Sequence, residues 1–174
     1  KRTAVYARSI AKAMGLNDKA VAKVTLAARL HDLGKLGLTA NLLNSTTGMT
    51  EAKRKQIELH PSLGEALLAP IAGMRPLLQN VRDHHERLDG TGYHGKRGRS
   101  VALVSRIIAV ADTFDAITSQ RSYQQRQTQE QALAIINNLA GDKLDPRVIK
   151  GLERALRYDR KAKTALRNAH RPTR

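Results

Sequence analysis

The sequence predicts an all-α fold in a single domain, and three observations carry that prediction. Apolar residues recur at helical spacing in nearly every segment, and no strand-like alternation of period two persists. Aromatics make up only 3% of the chain and Trp is absent, so the core must be packed from Ala, Leu, Ile and Val. At 174 residues the chain has room for one substantial core, and nothing in its length asks for two.

Ala4, Val5, Ala7, Ile10, Ala11 and Met14 place a first helix over residues 3–14, with Gly15 as its stop. Val21, Val24, Leu26, Ala27 and Leu30 define a second, running into His31, Asp32, Leu33, Gly34 and Lys35; Gly34 suits a helix C-terminus, which puts His31 and Asp32 in the last turn. Residues 37–49, rich in Gly, Asn, Ser and Thr, read as a loop. Thr50 caps a short helix ending near His60, and Pro61 opens the next, over 62–69, before Pro70, Gly73 and Pro76 interrupt the chain. The pattern is helical again from Leu77 through Glu86, and Asp89, Gly90, Gly92, Gly95 and Gly98 then make a basic, glycine-rich loop. Residues 100–118 form the strongest helix, apolar almost all round and so central. Thr128 with Gln131 predicts a capping box, and Asp145 before Pro146 an N-cap with proline at the first helical position, opening two final helices.

Composition narrows the chemistry. Zero cysteines exclude disulfides and thiolate metal sites, so any metal is held by imidazole, carboxylate or backbone oxygen. No run approaches the roughly 18 apolar residues of a membrane span and no leader opens the chain, so the expectation is a soluble, cytoplasmic protein. The 31 basic against 15 acidic residues give +16 and favour phosphate-bearing partners. Eight of the basic residues lie between Arg154 and Arg174, facing Asp159 alone, which fits a solvated basic helix or tail over 158–174 better than a dedicated nucleic-acid site.

Two acids and four histidines stand out. His31 and Asp32 alone are weak, since a histidine at a helix end meets the helix dipole in any fold. His84 and His85, adjacent before a glycine loop, are rarely a packing choice, and neighbours differing by about 100° in direction address different parts of one cavity. His60 by itself reads as a cap or surface residue. Asp112 and Asp115 are three apart on the most apolar helix, hence on one face, where unpaired carboxylates need cations or donors. Arg106, Arg121 or the Ser119 hydroxyl can partner Asp115, whereas a metal suits Asp112 better. Together His31, Asp32, His60, His84, His85 and Asp112 supply enough ligands for two metals sharing a carboxylate. Fe, Mn, Zn and Ni all suit that set, and the residue types do not choose among them. Such a site points to hydrolysis of a phosphate ester.

Three segments carry a family resemblance: HDLGK at 31–35, HHERLDGTGYHG at 84–95 and RIIAVADTFDAITSQRSYQ at 106–124 resemble the HD-GYP signature in order and spacing. The likeness covers about residues 2–155, and the domain is taken as 1–157. It implies an HD-domain helical bundle in which His31, Asp32 and Asp112 hold one metal and His60, His84 and His85 a second, with Asp32 bridging; some members bind a third. It further implies that Lys35 contacts substrate phosphate beside the catalytic Asp32, and that Asp115 and Arg121 bind and orient the dinucleotide. Gly90, Gly92 and Tyr93 belong to the loop that names the family, which lines the site and has been linked to GGDEF-type cyclase domains. A regulatory receiver or sensor domain commonly precedes such domains.

Three departures from the family pattern are visible. The further ligand usual in the first helix, a His or Glu about four residues before the Thr3-Ala4 step, would precede Lys1. His94 stands where the loop has proline, and reads as a solvent-exposed loop histidine. Gln124 stands where many members place a substrate-binding lysine. The leading expectation is therefore a phosphodiesterase that hydrolyses cyclic di-GMP to pGpG, with or without a further step to GMP, by a metal-bridged hydroxide. The alternative is a degenerate domain that senses cyclic di-GMP or docks a GGDEF domain without turnover. A nucleic-acid-binding module rests on charge alone, since one Phe and no Trp leave few surfaces for base stacking.

Overall fold

The computed structural model describes residues 2–39, 42, 50–119 and 127–169, with side chains described as far as residue 158. Its helices are α1 (Arg2–Ala13), α2 (Asp18–Leu30), α3 (Glu51–Ile57), α4 (His60–Leu68), α5 (Leu78–Arg82), α6 (Leu103–Thr118), α7 (Gln129–Asn137) and α8 (Pro146–Ala169). Short 3-10 turns occupy Leu33–Gly37, Arg75–Leu77 and Gly98–Ser100. Among the described residues there is no strand, only an isolated bridge between Ala140 and Leu144.

The capping chemistry expected at Thr50, Thr128 and Asp145 is in place. Thr50 accepts from the Lys53 N–H at 3.3 Å to start α3, and Asn17, not anticipated from the sequence, accepts from the Ala20 N–H at 2.9 Å to start α2. Thr128 and Gln131 form a reciprocal capping box at α7. Asp145, just before Pro146, accepts from the Arg147 N–H at 2.9 Å and from the Arg106 guanidinium at 2.6 Å, tying the start of α8 to α6.

Helix α6 is the axis of the fold. Ile107, Ile108, Val110, Ala111 and Phe114 are buried on it, and α1, α2, α7 and α8 pack around them. Small residues on α1 (Ala4, Ala7, Ala11) let that helix lie close against α6, where Tyr6 meets Phe114 edge-on with ring centres 4.9 Å apart. At Gly151 of α8 a Cβ would come within 2.7 Å of Met14 Cγ, so α8 lies close over the end of α1. Helix α8 continues without a break past residue 157. No helix among the described residues is long and apolar enough to cross a membrane.

Three local expectations are corrected. Helix α2 ends at Leu30, so His31 is its C-cap and Asp32 lies beyond it. Gly34 is not a left-handed helix stop. It sits inside the 3-10 turn, where a Cβ would fall 1.8 Å from the His60 carbonyl oxygen and 2.4 Å from the Gly64 nitrogen. Glycine is required there because two backbones touch. The helix expected over 77–86 stops at Arg82, because Asp83 and Glu86 turn inward to bind the following loop and His84 turns back on the helix it leaves. Most of the expected loop at 37–49, together with Arg121 and Gln124, lies outside the described residues.

Candidate metal centre

Four segments converge on one site. His31 and Asp32 come from the end of α2, His60 from the first residue of α4, His84 and His85 from the turn after α5, and Asp112 from α6. The backbone contact at Gly34 presses the Asp32 turn onto α4 and so delivers Asp32 to His60.

Each of three rings is aimed in the same way. His31 Nδ1 lies 2.8 Å from the Ala28 carbonyl, His60 Nδ1 2.7 Å from that of Ile57, and His84 Nδ1 2.6 Å from that of Val81. All three carbonyls belong to the last turn of a helix, where no intrahelical N–H remains to take them. A carbonyl only accepts, so each Nδ1 carries a proton, and a ring in its neutral form then presents a bare Nε2 lone pair.

Those lone pairs meet. His60 Nε2 is 3.3 Å from His84 Nε2 and 3.3 Å from Asp32 Oδ1. One ligand atom each from Asp32, His60, His84 and His85 lie within 4.8 Å of one another. On the other side of Asp32, His31 Nε2 is 3.4 Å from Oδ2 and 3.6 Å from Asp112 Oδ1, yet it is buried without a hydrogen-bond partner. The two oxygens of Asp32 thus face two ligand sets, Oδ1 toward His60 and Oδ2 toward His31. Ring centres of 4.1 Å for His84 and His85, and 4.9 Å for His31 and His84, leave no intervening side chain.

The electrostatics agree with a cation-seeking site. Burial, reinforced by the neighbouring rings of His85 and His31, holds His84 well below the usual imidazole range, so it stays neutral. Burial also pushes His85 down to about 3. Burial would raise Asp32, but His60, His31 and Lys35 together hold it far below the carboxylate range. Asp112 is likewise lowered, chiefly by His31 against the opposing effect of burial. Burial depresses His31, and Asp112 and Asp32 more than offset it, leaving that ring raised. Anionic carboxylates, two imidazoles held neutral at His84 and His85, and an orphaned buried nitrogen on His31 are a donor set that fits a divalent metal.

The remaining predicted residues divide. Lys35 holds its ammonium 2.7 Å from Asp32 Oδ2 at the mouth of the cluster, 40% exposed. Tyr93 lays its ring against His85, centres 4.6 Å apart. Gly92 allows its loop to press on the backbone of residues 85–87, where a Cβ would meet Glu86 Cα at 2.5 Å, and Gly90 takes φ +82. Asp115 points away from the cluster to Arg2 at 2.9 Å and Thr3 at 3.1 Å, and the Ser119 hydroxyl donates to it at 3.1 Å. Arg106, another candidate partner for Asp115, instead binds Asp145.

His94 is not a solvent-exposed loop residue. Its side chain is 19% exposed, and its ring contacts Glu86 Oε1 at 3.3 Å and Ser62 Oγ at 3.1 Å. Sequence reasoning missed this network, together with Asp83 and its bond to the Lys96 ammonium at 2.5 Å. The available signal was two acids, Asp83 and Glu86, flanking the histidine pair three residues apart. It missed Arg87 too, whose guanidinium is pushed down by burial and keeps a buried Nη1 without a partner.

Comparison with known proteins gives the same reading. Residues 1–148 match the family model described as HD domain. The chain is 34% identical over 157 residues to the 3'3'-cGAMP-specific phosphodiesterase 3 of Vibrio cholerae serotype O1, covering 90% of this chain and 34% of that protein. It is 35% identical over 159 residues to the cyclic di-GMP phosphodiesterase response regulator RpfG of Xanthomonas campestris pv. campestris, covering 88% of this chain and 42% of that one. The chain therefore spans between about a third and two-fifths of the length of these relatives. An HDG"Y"P protein from Bdellovibrio bacteriovorus shares the fold with a TM-score of 0.72 at 19% identity, over 90% of this chain and 50% of that one.

Proposed function

The chain belongs to the HD domain family, in its HD-GYP branch, and on that premise we propose that it is a metal-dependent phosphodiesterase that hydrolyses cyclic di-GMP to pGpG, with a further step to GMP open to it. The observation that carries the reading is the meeting of His60 Nε2, His84 Nε2 and Asp32 Oδ1, three potential ligand atoms, with His60 Nε2 3.3 Å from each of the other two.

In this reading His60, His84 and His85 would hold one divalent ion and His31 and Asp112 another, with Asp32 as the ligand shared between them. Fe or Mn is foremost among the candidate ions, with Zn or Ni also suited to the donors. When bound, the ions lower the pKa of a water and offset the charge that builds on the phosphoryl oxygens. The chain's own groups do the rest. Lys35 takes a phosphate oxygen at the mouth, where its ammonium already stands over Asp32. Tyr93, backed by His85, offers a ring face for a base. For Asp115 and for Arg121, which lies outside the described residues, the dinucleotide-orienting role rests on the family resemblance alone. Hydrolysis opens one P–O3′ ester and leaves the linear dinucleotide.

We take the loop at 90–98 as a surface for a GGDEF-type partner and the protein as cytoplasmic with an upstream regulatory domain; the greater length of the relatives supports the presence of a further domain. We take residues 1–157 as the catalytic domain and the basic stretch from 158 as an appendage.

The test is metal analysis of the purified chain together with turnover of cyclic di-GMP and of 3'3'-cGAMP, before and after chelation. About two divalent ions per chain and pGpG production lost on chelation and regained on metal addition are expected. Turnover unaffected by complete metal removal would sink the assignment.

A further inference from the structure

The loop from Arg87 to Gly98 carries Tyr93 to the metal cluster, and a loop rich in glycine needs fastening if it is to hold a ring in place. Its inner fastening is Glu86, whose side chain is fully buried. Glu86 Oε1 accepts the His94 N–H at 2.7 Å, and Oε2 accepts the Lys96 N–H at 2.6 Å. The outer fastening is the His94 ring. With Glu86 a carboxylate, Nδ1 donates to Oε1 at 3.3 Å, which leaves Nε2 bare to accept the Ser62 hydroxyl at 3.1 Å. Both nitrogens of a neutral imidazole are then used.

Among the described residues this is the one hydrogen bond between the loop and α4, and Ser62 stands two residues beyond His60 on that helix. The span Glu86, His94, Ser62 therefore bridges the segment bearing His84 and His85 to the helix bearing His60, directly beside Tyr93. Tyr93 itself touches both sides of the bridge, with ring centres 4.6 Å from His85 and 6.4 Å from His60.

We propose that His94 is a positioning residue: by clasping Glu86 to Ser62 it holds Tyr93 over the cluster as a platform for a nucleobase, and so governs recognition of the dinucleotide rather than cleavage of the phosphodiester. This rests on the phosphodiesterase reading above. The division of labour follows from chemistry, since the imidazoles and carboxylates address phosphate, whereas the aromatic face addresses a base.

The discriminating experiment uses two substrates on the metal-loaded chain. One is cyclic di-GMP, which has bases. The other is bis(p-nitrophenyl) phosphate, a phosphodiester without them. His94→Ala, Ser62→Ala and the double variant are compared with the unaltered chain. The clasp requires KM for cyclic di-GMP to rise about 5- to 10-fold in each single variant with kcat within about twofold, the size of one lost base-stacking contact. It also requires kcat/KM for bis(p-nitrophenyl) phosphate to stay within twofold, and the double variant to be no worse than His94→Ala, because both changes cut the same link.

Equal losses on both substrates, or losses that multiply in the double variant, overturn it. Ser62→Ala removes one oxygen and keeps the comparison available should His94→Ala fold poorly. If the unaltered chain turns over neither substrate, the phosphodiesterase reading fails on its own. The clasp is then judged by calorimetric affinity for cyclic di-GMP, and an affinity unchanged in Ser62→Ala and His94→Ala, or no binding at all by the unaltered chain, overturns it.

Discussion

Asp112 and Asp115 stand one turn apart on the same helix and meet opposite surroundings. Asp115 has a guanidinium at 2.9 Å and two hydroxyls at 3.1 Å, so its acceptor capacity is used by Arg2, Thr3 and Ser119. Asp112 faces His31 at 3.6 Å across a gap that neither residue closes, and the buried His31 nitrogen beside it has no partner. Where the polar atoms are matched, the region fastens α1 to α6. Where they are left open in the interior, folding alone gives no reason for them, and the deficit marks the place where something else binds.

That contrast is open to direct attack, most forcefully through the ligands. His84→Ala or Asp112→Asn should cut turnover of cyclic di-GMP by about 100- to 1000-fold with metal content falling in parallel, as measured by elemental analysis on folded protein. A variant that kept both metals and lost only stability would erase the distinction between the two aspartates.

The next effect comes from the backbone contact that brings Asp32 to His60. Gly34→Ala places a methyl 1.8 Å from the His60 carbonyl oxygen, and should cost about 1–3 kcal/mol in urea unfolding while loosening the metal held between those residues. Asp115→Asn should do the reverse of Asp112→Asn. It should lower stability by about 1 kcal/mol, a few degrees in melting temperature, with metal content intact. A rise in KM for cyclic di-GMP in the same variant would add the substrate contact proposed for Asp115.

The smallest effect is a pH dependence away from the site. Burial alone would raise the Asp145 carboxyl, but Arg147 and Arg106 bring it below the ordinary range. A depressed carboxyl contributes stability that is complete above its unfolded value of about 4 and is lost as pH falls through the lower folded value. Asp145→Asn should therefore flatten the acid limb of urea midpoints measured between about pH 5 and pH 2. The change should stay below about 1 kcal/mol from the Arg147 pair, since that side chain is 70% exposed.

Much of this was legible in the residues themselves. Helix positions followed from apolar spacing and from the caps at Thr50, Thr128 and Asp145, because these signals act within a few residues. The six candidate ligands were legible as residue types that have no cheap place in an apolar core, and the fold gathers them. What escaped was geometry set by distant partners. Gly34 looked like a helix stop because glycine serves both in left-handed turns and in close backbone contacts, and only the neighbour at His60 tells them apart. His94 looked exposed because nothing local announces that Ser62, 32 residues earlier, waits beside it. Helix α5 looked longer than it is because the inward pull of Asp83 and Glu86 depends on Lys96 and the loop backbone.

The three imidazoles held by the closing carbonyls of α2, α3 and α5 have a consequence for what changes this chain tolerates. The carbonyl that ends each helix is also the stop against which a ring is set, so helix length works as a gauge for ligand direction. Adding or deleting one residue before His31, His60 or His84 would swing that ring by about 100° and carry it out of the cluster without removing a single ligand from the sequence. Insertions should be tolerated in stretches remote from these three stops and rejected within the turn that precedes each of them.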